Sequence, residues 1–186
     1  MRSYLLVAWN LFDPIYYSLT RLTYIYNEIP EENILRVRLT RYKGKDAILS
    51  DGTQINKNDI LVKIHLHNVH LLNKMQHIKS DIKRGRFIYQ SIRKSLPSLV
   101  SYIQKHDKSD EIKGIIGITM LDRGADRLGF EIVPISNPLY KWYKWTSLLP
   151  INMLSTTSPS LKNVLKQSGP SYLFMSKAKL SSMYKV

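Results

Sequence analysis

The sequence predicts an α+β fold, a single domain built on a mixed sheet of about five or six strands covered by helices. Three observations predict it. Residues 34–42 and 60–66 alternate apolar and polar side chains, the period of half-buried strands. Gly114-Ile115-Ile116-Gly117-Ile118-Thr119-Met120 is almost wholly apolar, which suits a central strand buried on both faces. Between these, residues 69–106 repeat with helical spacing. A chain of 186 residues holds one domain with a substantial core and would be cramped as two.

Residues 1–28 form an amphipathic helical segment ahead of the domain at 30–186. Leu5, Trp9, Phe12, Tyr16 and Leu19 recur at helical spacing, and Asp13-Pro14 supplies an N-cap followed by proline at the first helical position. Asn10, Asp13 and Arg21 interrupt any membrane span, and no small-residue cleavage pattern marks a signal peptide. The segment either packs on the domain or, with Trp9, Tyr16, Tyr17, Tyr24 and Tyr26, lies at a membrane interface.

The strand at 34–42 sets Leu35, Val37 and Leu39 against Arg36, Arg38 and Thr40. A short hairpin follows, turning at Ser50-Asp51-Gly52-Thr53. Along 60–67, Ile60, Val62, Ile64 and Leu66 form a core face, and Leu61, Lys63, His65 and His67 line the other. Asn68 stands ready to cap a helix. The helical pattern from Val69 to His106 should break near Lys83-Arg84-Gly85-Arg86 and bend at Pro97. Its second part carries Phe87, Ile88, Ile92, Leu96, Leu99, Val100 and Ile103 on one stripe, with Arg84, Arg86, Arg93 and Lys94 opposite. After the central strand come a single helical turn at 122–129 ended by glycine, a strand at 130–135 and an aromatic-rich helix at 138–149. A loop near 155–160, a strand at 171–175 and a helix from Ser176 close the chain.

Composition narrows the function classes. The formal charge is +14, 44% of residues are hydrophobic, and there are 12 tyrosines and no cysteine. Disulfide and thiolate chemistry are excluded, and the charge predicts attraction to something anionic: nucleic acid, a phospholipid surface or an acidic polymer. The basic residues are spread along the chain without a recognisable nucleic-acid module, so nucleic acid is disfavoured. An anionic membrane surface or a polyanionic envelope polymer accounts for charge and aromatics together.

Two clusters are candidate ligand-binding sites. His65, His67 and Asn68 mark the end of a strand, with His70 a turn later. Their spacing fits zinc loosely, but no carboxylate is close in sequence, and hydrogen bonding at a polar groove is the preferred reading. No metal or other cofactor is expected. Asp122, Arg123, Asp126 and Arg127 follow the central strand, where α/β sheets place ligands. There the preferred reading is an ion pair within the turn, capped by Gly129, and the functional one is an anion or sugar pocket in which an arginine fork grips a phosphate or carboxylate. Glu131 joins the histidines only if the strands at 60–67 and 114–120 are neighbours. An enzymatic alternative uses His65 or His67 as general base and Arg127 as anion clamp.

Three stretches carry a family resemblance: Asp59-Ile60-Leu61-Val62-Lys63-Ile64-His65-Leu66-His67-Asn68, Ala125-Asp126-Arg127-Leu128-Gly129-Phe130-Glu131, and Pro170-Ser171-Tyr172-Leu173-Phe174-Met175-Ser176. Together they resemble the YkoP-like domain, which occurs alone and fused behind polysaccharide deacetylase catalytic domains in bacteria. The resemblance covers roughly residues 30–186 and brings over no catalytic residue. It implies an accessory role in cell-envelope or spore-surface polysaccharide metabolism. The deacetylase's metal-binding Asp and His motifs do not occur in this sequence. The expectation is a non-catalytic binding module for a glycan, a lipid-linked sugar intermediate or an anionic partner, cytoplasmic and peripheral at the membrane.

Overall fold

The computed structural model describes residues 22–25, 33–120, 124–155 and 169–185. Among them, six strands form one mixed sheet: β1 (Thr23–Tyr24), β2 (Leu35–Arg41), β5 (Ile60–Leu66), β6 (Ile112–Thr119), β7 (Glu131–Pro134) and β8 (Ser171–Ser176). Two short strands, β3 (Ala47–Ile48) and β4 (Gln54–Ile55), make a separate ribbon. The helices are α1 (Asn68–Lys74), α2 (Asp81–Lys105), α3 (Pro138–Ser155) and α4 (Lys177–Tyr184).

The sheet order is β1-β2-β5-β6-β8-β7. Only β5 and β6 pair in parallel, because α1 and α2 lie between them in the chain and return it to the same end. The apolar run at 114–120 is therefore central, as expected. Ile115 is fully buried on one face of β6 and Ile116 is buried on the other.

Each face has its own core. On one, Val37, Val62, Ile115 and Met175 pack beneath Leu96, Leu99, Val100 and Ile103 of α2 and Leu180 of α4, with Ile60 and Ile64 half-buried against them. On the other, Leu61, Ile116 and Phe174 meet Tyr42, Leu49 and Ile55, so the β3–β4 ribbon covers one end of that face. The face predicted to be polar from Lys63 and His65 is thus apolar at the Leu61 end and polar beyond it. At about 25 cal/mol per Å² of apolar surface, both packed faces contribute to folding.

Local chemistry sets the helix ends. The Ser80 hydroxyl caps α2, and Ser176 caps α4 by accepting from the Lys179 amide at 2.9 Å. Gly129 closes a 3-10 turn at Asp126–Leu128 with φ +86°, a left-handed conformation that suits glycine.

Four expectations need correction. The helical break falls at residues 75–80, and α2 runs through Gly85 without interruption. Arg84 is buried, not on the polar stripe. Its guanidinium donates to the Ile78 and Met75 carbonyls at 2.7 and 3.4 Å, satisfying groups freed where α1 ends. His67 occupies the N-cap position of α1 and Asn68 is its first helical residue. Thr23–Tyr24, inside the segment read as helical, is a strand paired with Val37 and Arg36. Residues 1–21 and 26–28 of the amino-terminal helix reading lie outside the described residues.

Candidate functional site

The antiparallel register of β2 and β5 places Arg36 opposite His65 and Arg38 opposite Lys63. Because side chains alternate, all four project from the same face of the sheet. Over that face lies α3, started by Asn137, whose side-chain oxygen accepts from the Tyr140 amide at 3.0 Å. Tyr140 of α3 stacks on Tyr172 of β8 with ring centroids 6.5 Å apart. The Lys144 ammonium lies 5.4 Å from the Tyr140 ring centre and 5.0 Å from that of Tyr143. The aromatic ladder continues through Tyr172, Phe174 and Tyr42 into the ribbon-covered core.

The electrostatics of this face are one-sided. Burial, and after it the positive charges of Lys144 and Arg38, lowers the Lys63 amine to about 8. Lys144 is also lowered, by burial and then by Arg38. Burial, aided by Lys63, Arg38, Lys144 and Arg36, takes His65 down to about 3. Tyr140 is pushed up to about 12, chiefly by burial and then by Tyr172 and Tyr143. Among the described residues, neither Lys63 nor Lys144 has a carboxylate partner. Arg36 is held at the edge of the cluster, donating to the Tyr24 hydroxyl at 2.6 Å with its guanidinium 4.8 Å from that ring.

The predicted site residues separate into three places. His65 belongs to the basic face. His67 stacks on His70 at 5.6 Å and meets Tyr24 edge-on at 5.8 Å, forming an aromatic rim at the strand's end, with Asn68 starting α1 beside it. Asp126 and Arg127 are exposed, and their turn is anchored by Leu128 and Ala125 in the core under α2. That is the opposite side of the sheet from His65. Asp122 and Arg123 lie outside the described residues. The strands at 60–67 and 114–120 are indeed neighbours, but β8 stands between β6 and β7. Glu131 is therefore three strands from Lys63, roughly 14 Å at ordinary strand spacing.

Glu131 serves a different purpose. It accepts from the Ser50 amide at 2.8 Å and hydroxyl at 2.6 Å, and pairs with the Lys179 ammonium at 3.3 Å. Burial raises its carboxyl, but the Ser50 hydrogen bonds and Lys179 outweigh this, and the net shift is downward. The Ser176 hydroxyl donates to Asp51 on the same turn. These contacts latch the hairpin turn to β7 and α4.

Among the described residues no three His, Asp or Glu side chains converge as metal ligands. Two open clefts occur elsewhere. One of about 480 Å³ is lined by His77, Ile78, Lys79, Ser80 and Lys83, and one of about 200 Å³ by Leu39, Thr40, Arg41, Ile60 and Lys108. Neither includes Arg38, Lys63 or Lys144, so the basic face coincides with neither cleft. The charge cluster is the better candidate, because desolvated like charges cost free energy that an anion would recover.

Sequence reasoning identified the Lys63–His65 face but missed Arg36, Arg38, Lys144 and Tyr140 as its partners. The alternation of Arg36 with Arg38 matched that of Lys63 with His65, and only pairing brings the two together.

No solved structure matches the chain. A protein of Bacillus subtilis (strain 168) that carries the name "Uncharacterized protein YkoP" is 47% identical over 184 residues, covering 99% of this chain and 98% of that protein. The YkoP domain model matches residues 2–184, a span that takes in both the basic face and the hairpin latch. The chain belongs to the YkoP domain family.

Proposed function

We propose that the chain is a non-catalytic binding module that takes a phosphate-bearing ligand, such as a lipid-linked sugar intermediate or an acidic glycan, on the face formed by Arg36, Arg38, Lys63 and Lys144. One observation carries this reading: Lys63 and Lys144 are held close on a partly desolvated face with no carboxylate partner among the described residues. A phosphate would relieve both the desolvation and the mutual repulsion, and Arg38 can grip it with two parallel N–H donors. Tyr140 and Tyr172 offer flat rings against which a sugar can lie.

A binding role also fits His65. An imidazole lowered to about 3 is neutral near pH 7 but only weakly basic, which suits hydrogen bonding better than proton abstraction. Because α3 lies over the sheet, the face is shaped for a headgroup or a short glycan, not an extended nucleic-acid strand. No described helix is long and apolar enough to cross a membrane. Contact with a lipid-linked ligand would accordingly be peripheral.

Calorimetric titration of the full chain with a hexose 1-phosphate, with pyrophosphate and with the unphosphorylated hexose tests the reading. The two phosphates should bind and raise Tm, with the neutral sugar at least roughly tenfold weaker. Equal affinity for the sugar with and without phosphate, or no binding of any of the three, overturns it.

A further inference from the structure

Helix α3 has a second face. While Tyr140 and Lys144 turn toward the sheet, Leu139, Trp142 and Tyr143 are 79%, 67% and 58% exposed. They stand at i, i+3 and i+4, so they form one outward stripe, and exposed Thr146 extends it by a turn. Scattered apolar side chains on a surface need no explanation, but three large ones together on one helix do.

The charge around the stripe selects its occupant. Residues 138–155 contain no Asp or Glu, and Lys141 and Lys144 belong to the same helix. The Lys144 ammonium lies 5.0 Å from the centre of the Tyr143 ring, so a cation borders the apolar stripe. Indole and phenol rings present an apolar body with a polar tip, the pairing favoured between headgroups and acyl chains. A second copy of the chain would bring like charge against like charge on a protein of formal charge +14.

We propose that the outward face of α3 is a docking surface for an anionic phospholipid bilayer, the helix lying in the interface with Leu139, Trp142 and Tyr143 between headgroups. This deepens the reading above, on which it rests, by naming the face that meets the membrane carrying a lipid-linked ligand. Docking through α3 would bring the basic face beneath the helix to the level of the lipid phosphates.

The absence of cysteine permits a site-specific probe. Leu139→Cys and, as a control on α2, Ile82→Cys are each labelled with an environment-sensitive fluorophore in the full chain. They are mixed with vesicles of phosphatidylcholine alone or with an equal part of phosphatidylglycerol. The label at position 139 should brighten and shift to the blue on the anionic vesicles only, reversibly with salt, and that at 82 should not. Leu139→Ser with Trp142→Ser should lower vesicle partitioning roughly tenfold while far-UV circular dichroism and hexose 1-phosphate binding stay unchanged. Lys63→Met should do the reverse, losing the sugar phosphate and keeping the vesicles. No change at position 139, an equal change at 82, or a change that follows protein concentration without vesicles overturns docking through α3. Failure of the sugar phosphate alone, with docking intact, overturns only the assigned ligand.

Discussion

Arg38 and Lys63 are directly opposed across β2 and β5, two cations in one cross-strand pair. Like charges in that position destabilise a sheet. Here the cost is raised by burial of Lys63 and by Lys144 above it. Keeping such a pair costs stability, the side of the trade that the proposed anion would offset.

Lys63→Met should expose that trade. With the Lys63 amine lowered from 10.5 to about 8, its contribution to stability is present above pH 10.5 and lost as pH falls through about 8. At pH 7 the charged lysine is therefore a net cost. Methionine should stabilise the fold by roughly 1–3 kcal/mol in urea unfolding and weaken hexose 1-phosphate at least roughly tenfold. A destabilised variant with unchanged affinity would contradict both halves.

His65 should stay neutral in the folded protein. Its folded value of about 3 lies below the ordinary 6.5, so its contribution is present above pH 6.5 and is lost as pH falls toward 3. Carbon–proton NMR of the assigned imidazole should show no titration between pH 7 and about 4.5. In His65→Gln, stability should fall less steeply over the same range. A midpoint near 6.5 would show the ring to be solvated.

The hairpin latch should loosen in acid. Glu131 and Asp51 both sit below their ordinary values, Asp51 chiefly through its hydrogen bond from Ser176. Their stabilisation is present above about pH 4.5 and lost as pH falls through the lowered folded values. Glu131→Gln should cost about 1 kcal/mol at pH 7 and reduce the acid sensitivity. Hydrogen exchange should quicken at the Ser50 amide, which donates to Glu131. Unchanged exchange there would mean that the turn is held by the Leu49 and Ile55 packing alone.

Gly114→Ala should be among the more damaging small substitutions. A Cβ at this position would run into the Met175 carbonyl of β8, which is backbone and has no rotamer to yield. Loss of roughly 1–3 kcal/mol is expected in thermal or urea unfolding, whereas Gly85→Ala, which meets open space in α2, should be neutral or stabilising. Equal effects of the two would refute the close approach of β6 and β8.

The strands at 34–42 and 60–66, the buried run at 114–120 and the α2 stripe were legible because each is a local repeat of side-chain type. Even the split of β5 into Val62 below and Lys63 above followed from period two. The error at Arg84 has the same origin. A charged residue off the apolar stripe reads as solvated, and nothing local reveals that the carbonyls of Met75 and Ile78 fold back onto it. Glu131 and Arg127 follow the central strand in sequence, but whether they share a cleft with the histidines depends on strand order, which that nearness does not carry.

What the sequence by itself determined is the alternation along β2 and β5, the buried run of β6 and the apolar stripe of α2, since these depend on residues one to four apart. The tertiary structure alone decided the neighbours. It set Arg38 against Lys63, laid Lys144 over them, put β8 between Glu131 and the basic face, and turned Trp142 outward. Pairing across a sheet is chosen by the packing of whole elements far apart in the chain. A repeat of period two carries no record of which strand will lie beside it.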